Sequence, residues 1–141
     1  MTGLVFARET RLGVADYISV VGDSALGESR PLRDAQRIDA MLAGSSLVVT
    51  ARLDGACVGV ARCLTDFAWV CYCADLAVKA GFQRRGIGTG LLRKVKQLLG
   101  DGVSITLLSA PGAVSYYEKI APEIGMQRSH DAFYLPRSRG A

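Results

Sequence analysis

The residue types best suited to chemistry in this chain crowd into residues 75–90, Asp-Leu-Ala-Val-Lys-Ala-Gly-Phe-Gln-Arg-Arg-Gly-Ile-Gly-Thr-Gly. An apolar stretch of strand character enters a glycine-rich turn, and the turn opens an amphipathic helix. Glycine lets backbone N–H groups close on an anion, and a helix N-terminus adds the positive end of its dipole. Arg84 and Arg85 stand beside this nest, so the parts suit a diphosphate. Two familiar nucleotide sites do not fit. Gly81 and Gly86 have the spacing of a P-loop's outer glycines, but Ile87-Gly88 stands where phosphate and Mg²⁺ binding need Lys and Ser or Thr. Gly86, Gly88 and Gly90 imitate a dinucleotide fingerprint, but the third glycine comes one residue early and the preceding strands form a meander.

Charge points to the same place. The chain carries 17 Lys and Arg against 13 Asp and Glu, a net charge of +4. Residues 79–99 hold Lys79, Arg84, Arg85, Arg93, Lys94 and Lys96 with no acidic residue, so the positive field belongs to one segment and implies an anionic partner there. That segment carries a single aromatic, Phe82, too few for interleaved stacking, which argues against nucleic acid. The four cysteines are 57, 63, 71 and 73. Cys57 and Cys63 on a strand would stand ~20 Å apart at ~3.3 Å per residue, which excludes one four-cysteine zinc site. Cys71 and Cys73 share a strand face but lie near the upper limit of disulfide reach, so buried free thiols in a reducing cytoplasm are expected. His130 is the one histidine, and no G-x-S-x-G occurs, so neither a multi-histidine metal site nor a serine triad of that kind is expected.

These residues need elements to position them. The 141 residues, 50% hydrophobic and 21% charged, suit a single globular domain over 1–141 with a real core. No apolar run approaches the ~20 residues that span a bilayer, and Arg8 and Glu9 interrupt the N-terminal stretch, so neither a membrane span nor a signal peptide is expected. Periodicity predicts a strand at 4–7, a helix at 14–21, a loop at 22–31 and a helix opened by Pro31 and closed by Gly44. Strands follow at 47–53, 56–64 and 69–78, with Asp54-Gly55 as a hairpin turn. A helix at 86–99, a strand at 104–108, a short helix at 113–120 and a final strand or hairpin at 126–135 complete the order. Strand, helix and strand across 69–108 make a βαβ unit, so those two strands should be parallel. The fold class is α+β: a mixed, largely antiparallel sheet with helices on both faces.

Gln83-Arg84-Arg85-Gly86-Ile87-Gly88, directly after Asp-Leu-Ala-Val, resembles the Gln/Arg-x-x-Gly-x-Gly/Ala signature of the GNAT superfamily of acetyl-CoA-dependent N-acetyltransferases. The predicted element order is similar to that fold over most of the chain. The resemblance implies that backbone amides of residues 84–89 (Arg84, Arg85, Gly86, Ile87, Gly88 and Thr89), with Gln83, hold the CoA diphosphate. It also implies that the strand edge at Leu76, Ala77 and Val78 pairs with the pantetheine arm, as a peptide adds to a sheet. Ala113-Val114-Ser115-Tyr116-Tyr117-Glu118-Lys119 is similar to the family's Ala-x-x-Phe-Tyr-Glu-Lys, which places on Tyr117 the tyrosine that protonates the leaving thiolate. A phenol near pKa ~10 and a thiol near ~8.5 differ by roughly 2 kcal/mol, so position suffices and a local base is not needed. Tyr116 reads as a packed aromatic.

Two departures concern the acceptor side. Ala121-Pro122-Glu123-Ile124 adds four residues before Gly125, and Ala110-Pro111-Gly112 replaces an asparagine common in the family. Asp75 is the carboxylate nearest the expected thioester and could accept the amine's proton, directly or through water. The alternative for Asp75 is a buried hydrogen-bonding role. The family's acidic base often falls earlier, where Tyr72 stands here. Asp66, Glu28 and His130 read as solvated loop or turn residues. The expected activity is direct transfer from acetyl-CoA to a primary amine of a small molecule or peptide, without metal, nucleic acid or membrane. Residues 22–37 and 127–134 would shape the acceptor site. A homodimer is left open. The alternative is a CoA-sensing binding protein of the same fold that regulates a partner.

Overall fold

A computed structural model of the protein describes residues 2–138. It opens with β1 (Leu4–Arg8) and α1 (Val14–Gly22), continues through a single 3₁₀ turn at Gly27–Ser29, and reaches α2 (Ala35–Ala43). The meander is β2 (Leu47–Leu53), β3 (Ala56–Thr65) and β4 (Val70–Val78). Then come α3 (Ile87–Leu99), β5 (Ser104–Thr106) and α4 (Val114–Ile124). The sheet order is β1-β2-β3-β4-β5, antiparallel except for the β4–β5 pair, as the α+β reading required.

The sheet separates two apolar layers. Tyr17, Val20 and Val21 of α1 and Ile38 of α2 pack on Val48, Val60 and Ala77. On the other face Leu91, Leu92 and Val95 of α3 and Ile120 of α4 pack on Val49, Ala61, Cys63, Cys71 and Cys73. The 3.6-residue stripe of α3 and the alternation along β2–β4 dictate this arrangement. Asp54 and Gly55 turn the β2–β3 hairpin at φ 49° and 88°, the left-handed pair a tight hairpin needs. No helix among the described residues is long and apolar enough to cross a membrane.

Four features differ from the sequence reading by more than one residue. α2 begins at Ala35 rather than Pro31, because the Asp34 side chain accepts from the Arg37 N–H at 3.1 Å and makes Asp34 the N-cap. α4 runs through Ile124. The four added residues are about one helical turn. Pro122 removes one backbone donor from that turn. Packing of Ile124 on the core and a left-handed Gly125 at φ 76° nevertheless carry and close it. β5 stops at Thr106, short of residue 108. The expected final strand or hairpin is absent: residues 126–138 have no regular structure, with Phe133 and Leu135 almost fully exposed. A strand there would have only the three-residue β5 as its neighbour in the sheet.

Gly90 explains itself through packing. A Cβ there would run into the ring of Phe6 on β1, which closes the α3 layer. Gly90→Ala should therefore destabilise the fold by about 1–3 kcal/mol, the usual cost of overpacking. Urea denaturation should show the loss, and Phe6→Leu in the same chain should recover part of it.

Candidate functional site

The site begins with an irregularity in β4. Cys63 pairs with Cys73 and Arg62 with Asp75, so Ala74 is an extra residue on β4. Such a bulge reverses the side-chain alternation. Cys73 consequently faces the α3 layer and Asp75 the α1 layer. On the opposite edge, β4 pairs with β5 only as far as Tyr72 and Thr106. Beyond that point the two strands part. The edge of β4 from Cys73 to Val78 borders a cleft of about 740 Å³, whose far wall includes Leu108, Ala110, Tyr116 and Tyr117.

The α3 N-terminus closes one end of the same cleft. Its first intrahelical bond runs from the Gly90 N–H to the Gly86 carbonyl at 2.9 Å, and no side chain caps it. The N–H groups of Ile87, Gly88 and Thr89 are thus the unsatisfied donors of a first turn. Gly86 holds φ 78° and Arg84 φ 64°, which curls residues 84–86 around the helix end. Gln83 donates from Nε2 to the Val78 carbonyl at 3.0 Å and so fastens this loop to the end of β4. The Arg85 guanidinium stacks on Phe82, 5.7 Å from the ring centre, and Arg84 lines the cleft. Nest, dipole and guanidinium groups all favour an anion here. A neighbouring strand edge without a partner suits an amide-bearing chain. The residues present therefore fit a CoA diphosphate and pantetheine. Leu76, Ala77, Val78, Gln83, Arg84, Gly86, Ile87, Gly88 and Thr89 all line this one cleft.

Tyr117 projects from α4 into the cleft and packs against the α3-side core. Burial raises its pKa above the ordinary phenol range, with Cys73 and Tyr116 adding to the effect. The ring of Tyr116 meets it edge to face, centroids 5.1 Å apart. Cys63 and Cys71 sit beside Cys73 on the α3 side, whereas Cys57 belongs to the α1 side. All four are buried free thiols. The Cys71 thiol is pushed up to about 12, by burial first and then by Cys63.

Asp75 does not share the cleft. Its carboxylate has no solvent exposure. It accepts from Tyr17 Oη and Arg62 Nε at 2.6 Å on one oxygen, and from Arg30 Nε at 2.6 Å on the other. Burial alone would raise its pKa, but Arg62, the Tyr17 hydroxyl and Arg30 outweigh that and hold it below the ordinary value. The bulge turns it into the α1 layer, where it serves the buried hydrogen-bonding role. Arg30 also donates to the Ala74 carbonyl at 2.8 Å, which pins the loop after α1 onto the bulge. The sequence offered no signal for Arg30, because the bulge that meets it is a matter of register. Tyr72 lies on the paired part of β4, outside the cleft. Asp66 accepts the N–H groups of Ala68, Trp69 and Val70 and shapes a turn. Glu28 lies in the 3₁₀ turn, and His130 is exposed in the C-terminal stretch. Among the described residues no group of His, Cys, Asp and Glu could hold a metal ion.

Comparison with known proteins adds an independent finding. The model of the Acetyltransferase (GNAT) family matches residues 18–121. No match is found among curated proteins. A GNAT family acetyltransferase from Streptococcus pneumoniae superposes with a TM-score of 0.74 at 18% identity, covering 98% of this chain and 99% of that one. An aminoglycoside acetyltransferase from an uncultured soil metagenomic sample, in complex with sisomicin, gives 0.69 at 19% identity, over 96% and 97% of the chains. An aminoglycoside N-acetyltransferase in complex with CoA gives 0.70 at 13% identity, over 95% and 94%.

The Asp75 cluster predicts a dependence on pH. A carboxyl whose pKa is lower folded than unfolded contributes stability above its unfolded value, about 3.9, and loses it as pH falls through the folded one. Stability should therefore decline in acid below about pH 4. Asp75→Asn should remove that part of the decline. It should also lower stability at pH 7 by about 3–5 kcal/mol, because Arg62 stays buried without its anion. Denaturant unfolding of both proteins at pH 7 and in acid measures this, and equal stability at pH 7 would contradict it.

Proposed function

We propose, since the chain belongs to the Acetyltransferase (GNAT) family, that it transfers the acetyl group of acetyl-CoA to a primary amine of a small molecule or peptide. One observation carries the reading: an unpaired strand edge, an uncapped helix N-terminus and a half-buried tyrosine face one another across a single cleft. Two of the similar folds are aminoglycoside N-acetyltransferases, which supports an amine acceptor. When bound, acetyl-CoA supplies an acetyl thioester whose carbonyl carbon is open to attack by an amine.

The chain's own residues then have distinct roles. Amides of residues 84–89, with Arg84 and Arg85, hold the diphosphate. The edge at Leu76, Ala77 and Val78 binds the pantetheine amides and sets the thioester's position. A backbone N–H near Leu76 or Ala77 donates to the carbonyl oxygen as charge develops there. Tyr117 gives its proton to the leaving sulfur. Its raised pKa keeps the phenol protonated through neutral and mildly alkaline pH. That shift alone would make donation harder. The same burial disfavours a thiolate in the cleft, so the two groups stay within reach of each other. Asp75 is a positioning residue that holds Arg30, and with it the loop after α1, against β4.

The position of Asp75 also favours a second reading. No carboxylate on β4 lines the cleft to take the amine's proton. A CoA-binding sensor would need the cradle and the strand edge, and no proton acceptor.

Turnover separates the two. Acetyl-CoA, the protein and a panel of amines should yield free thiol and an acetylated product by mass spectrometry. Binding of CoA with no acceptor acetylated would favour the sensor. In the enzyme, Tyr117→Phe should lower kcat by ~10²-fold or more, while calorimetry shows little change in CoA affinity. With the native tyrosine, the alkaline decline of kcat assigned to this phenol should lie above pH ~10, because the folded pKa is raised. Near-normal kcat in folded Tyr117→Phe, with chemistry rate-limiting, would remove the acid role.

A further inference from the structure

We propose that the Tyr116 hydroxyl is a cofactor-positioning donor, standing beside the first turn of α3 to receive the diphosphate that the backbone amides hold. This rests on reading that helix end as the diphosphate site. It adds a residue that the sequence assigned only to packing.

The geometry starts from Gly88. A Cβ built there would overlap the Tyr116 hydroxyl oxygen and stand 3.1 Å from the ring carbon that bears it. On a helix every Cα–Cβ bond leans toward the N-terminus. The phenol oxygen therefore occupies the space on the N-terminal side of Gly88, at the rim of the Ile87, Gly88 and Thr89 donors. Glycine at 88 is what lets it come so close. Tyr116 is 38% exposed as a residue, and it lines the cleft. The Thr89 side chain, which lines the same cleft, acts to lower the phenol's pKa, against the larger effect of burial. A protonated phenol carries one O–H donor, which an anion seated on the amides can accept. Burial, with a contribution from Glu123, keeps the phenol protonated. Ser115, Lys119 and Glu123 line the same cleft from α4, and Tyr116 is the α4 residue whose polar atom meets Gly88.

Two ligands distinguish this role from packing. Pantetheine thioesters lack the diphosphate, whereas CoA carries it. Tyr116→Phe keeps the ring and removes the donor. By calorimetry its dissociation constant for CoA should rise about tenfold or more, as for a lost hydrogen bond to a charged group. Its loss of kcat/KM with acetyl-CoA should exceed its loss with acetylpantetheine by about tenfold, and its apo melting temperature should hold. Gly88→Ala pushes the hydroxyl aside, so Gly88→Ala with Tyr116→Phe should bind CoA no more weakly than Gly88→Ala alone. Equal CoA affinity in wild type and folded Tyr116→Phe overturns the inference and leaves the cofactor reading intact. Additive losses in the double variant, or an equal loss with acetylpantetheine, also overturn it. Failure of the wild-type protein to bind CoA overturns the cofactor reading itself, and this inference with it.

Discussion

One extra residue in β4 governs the architecture of the site. Strand pairing on the β3 side is continuous, but Ala74 has no partner in the register, and the alternation of β4 reverses across it. Before it, Cys71 and Cys73 fill the α3 layer; after it, Asp75 and Ala77 fill the α1 layer. Pairing with β5 ends at Tyr72, just ahead of the same residue. A bulge bends and twists its strand, and here the two parallel strands diverge from that point. The cleft is the space between them, and backbone groups that a longer ladder would have consumed line it.

Holding that irregularity in place takes charge as well as packing. Asp75 sits immediately after the bulge with no exposure, between Arg62 from β3, Tyr17 from α1 and Arg30 from the loop beyond α1. A buried carboxylate is costly unless each oxygen finds a donor, and here both do. Arg30 adds a bond to the carbonyl of Ala74 itself. The loop after α1, which borders the cleft through Ser24, Ala25 and Leu26, is thereby tied to the strand that forms its edge. A second polar cluster, Glu9 with Thr50 and Arg52, and Asp16 with the same arginine, joins β1, β2 and α1 in a comparable way.

The glycines of α3 and its loop show how one short motif meets several constraints. Gly86 supplies a left-handed backbone angle that starts the helix. Gly88 leaves room for a phenol oxygen, and Gly90 leaves room for a phenyl ring. The adjacent tyrosines of α4 divide in the same manner. Tyr117 lies against the core and the open edge of β4, and Tyr116 against the helix end. Successive residues on a helix point about 100° apart, so one turn of α4 addresses two ends of one cleft.

The element order, the parallel β4–β5 pair and the family were legible in the chain. Hydrophobic periodicity, the Asp54-Gly55 turn and the run from Gln83 to Gly90 are local patterns, and local patterns survive in a linear string. The placement of residues 83–89 at the N-terminus of α3 was legible too, since they are neighbours in sequence and needed only a strand before them and a helix after. The direction of Asp75 was not legible. It depends on whether β3 and β4 keep step, and a one-residue slip reverses every side chain beyond it. The meeting of Tyr116 with Gly88 was hidden for a related reason, since it joins two helices whose relative placement only the packed layers decide. The C-terminal stretch shows the converse limit. Residues 126–135 end in Phe133, Tyr134 and Leu135, yet a strand exists only where a neighbour offers its backbone, and β5 ends after three residues.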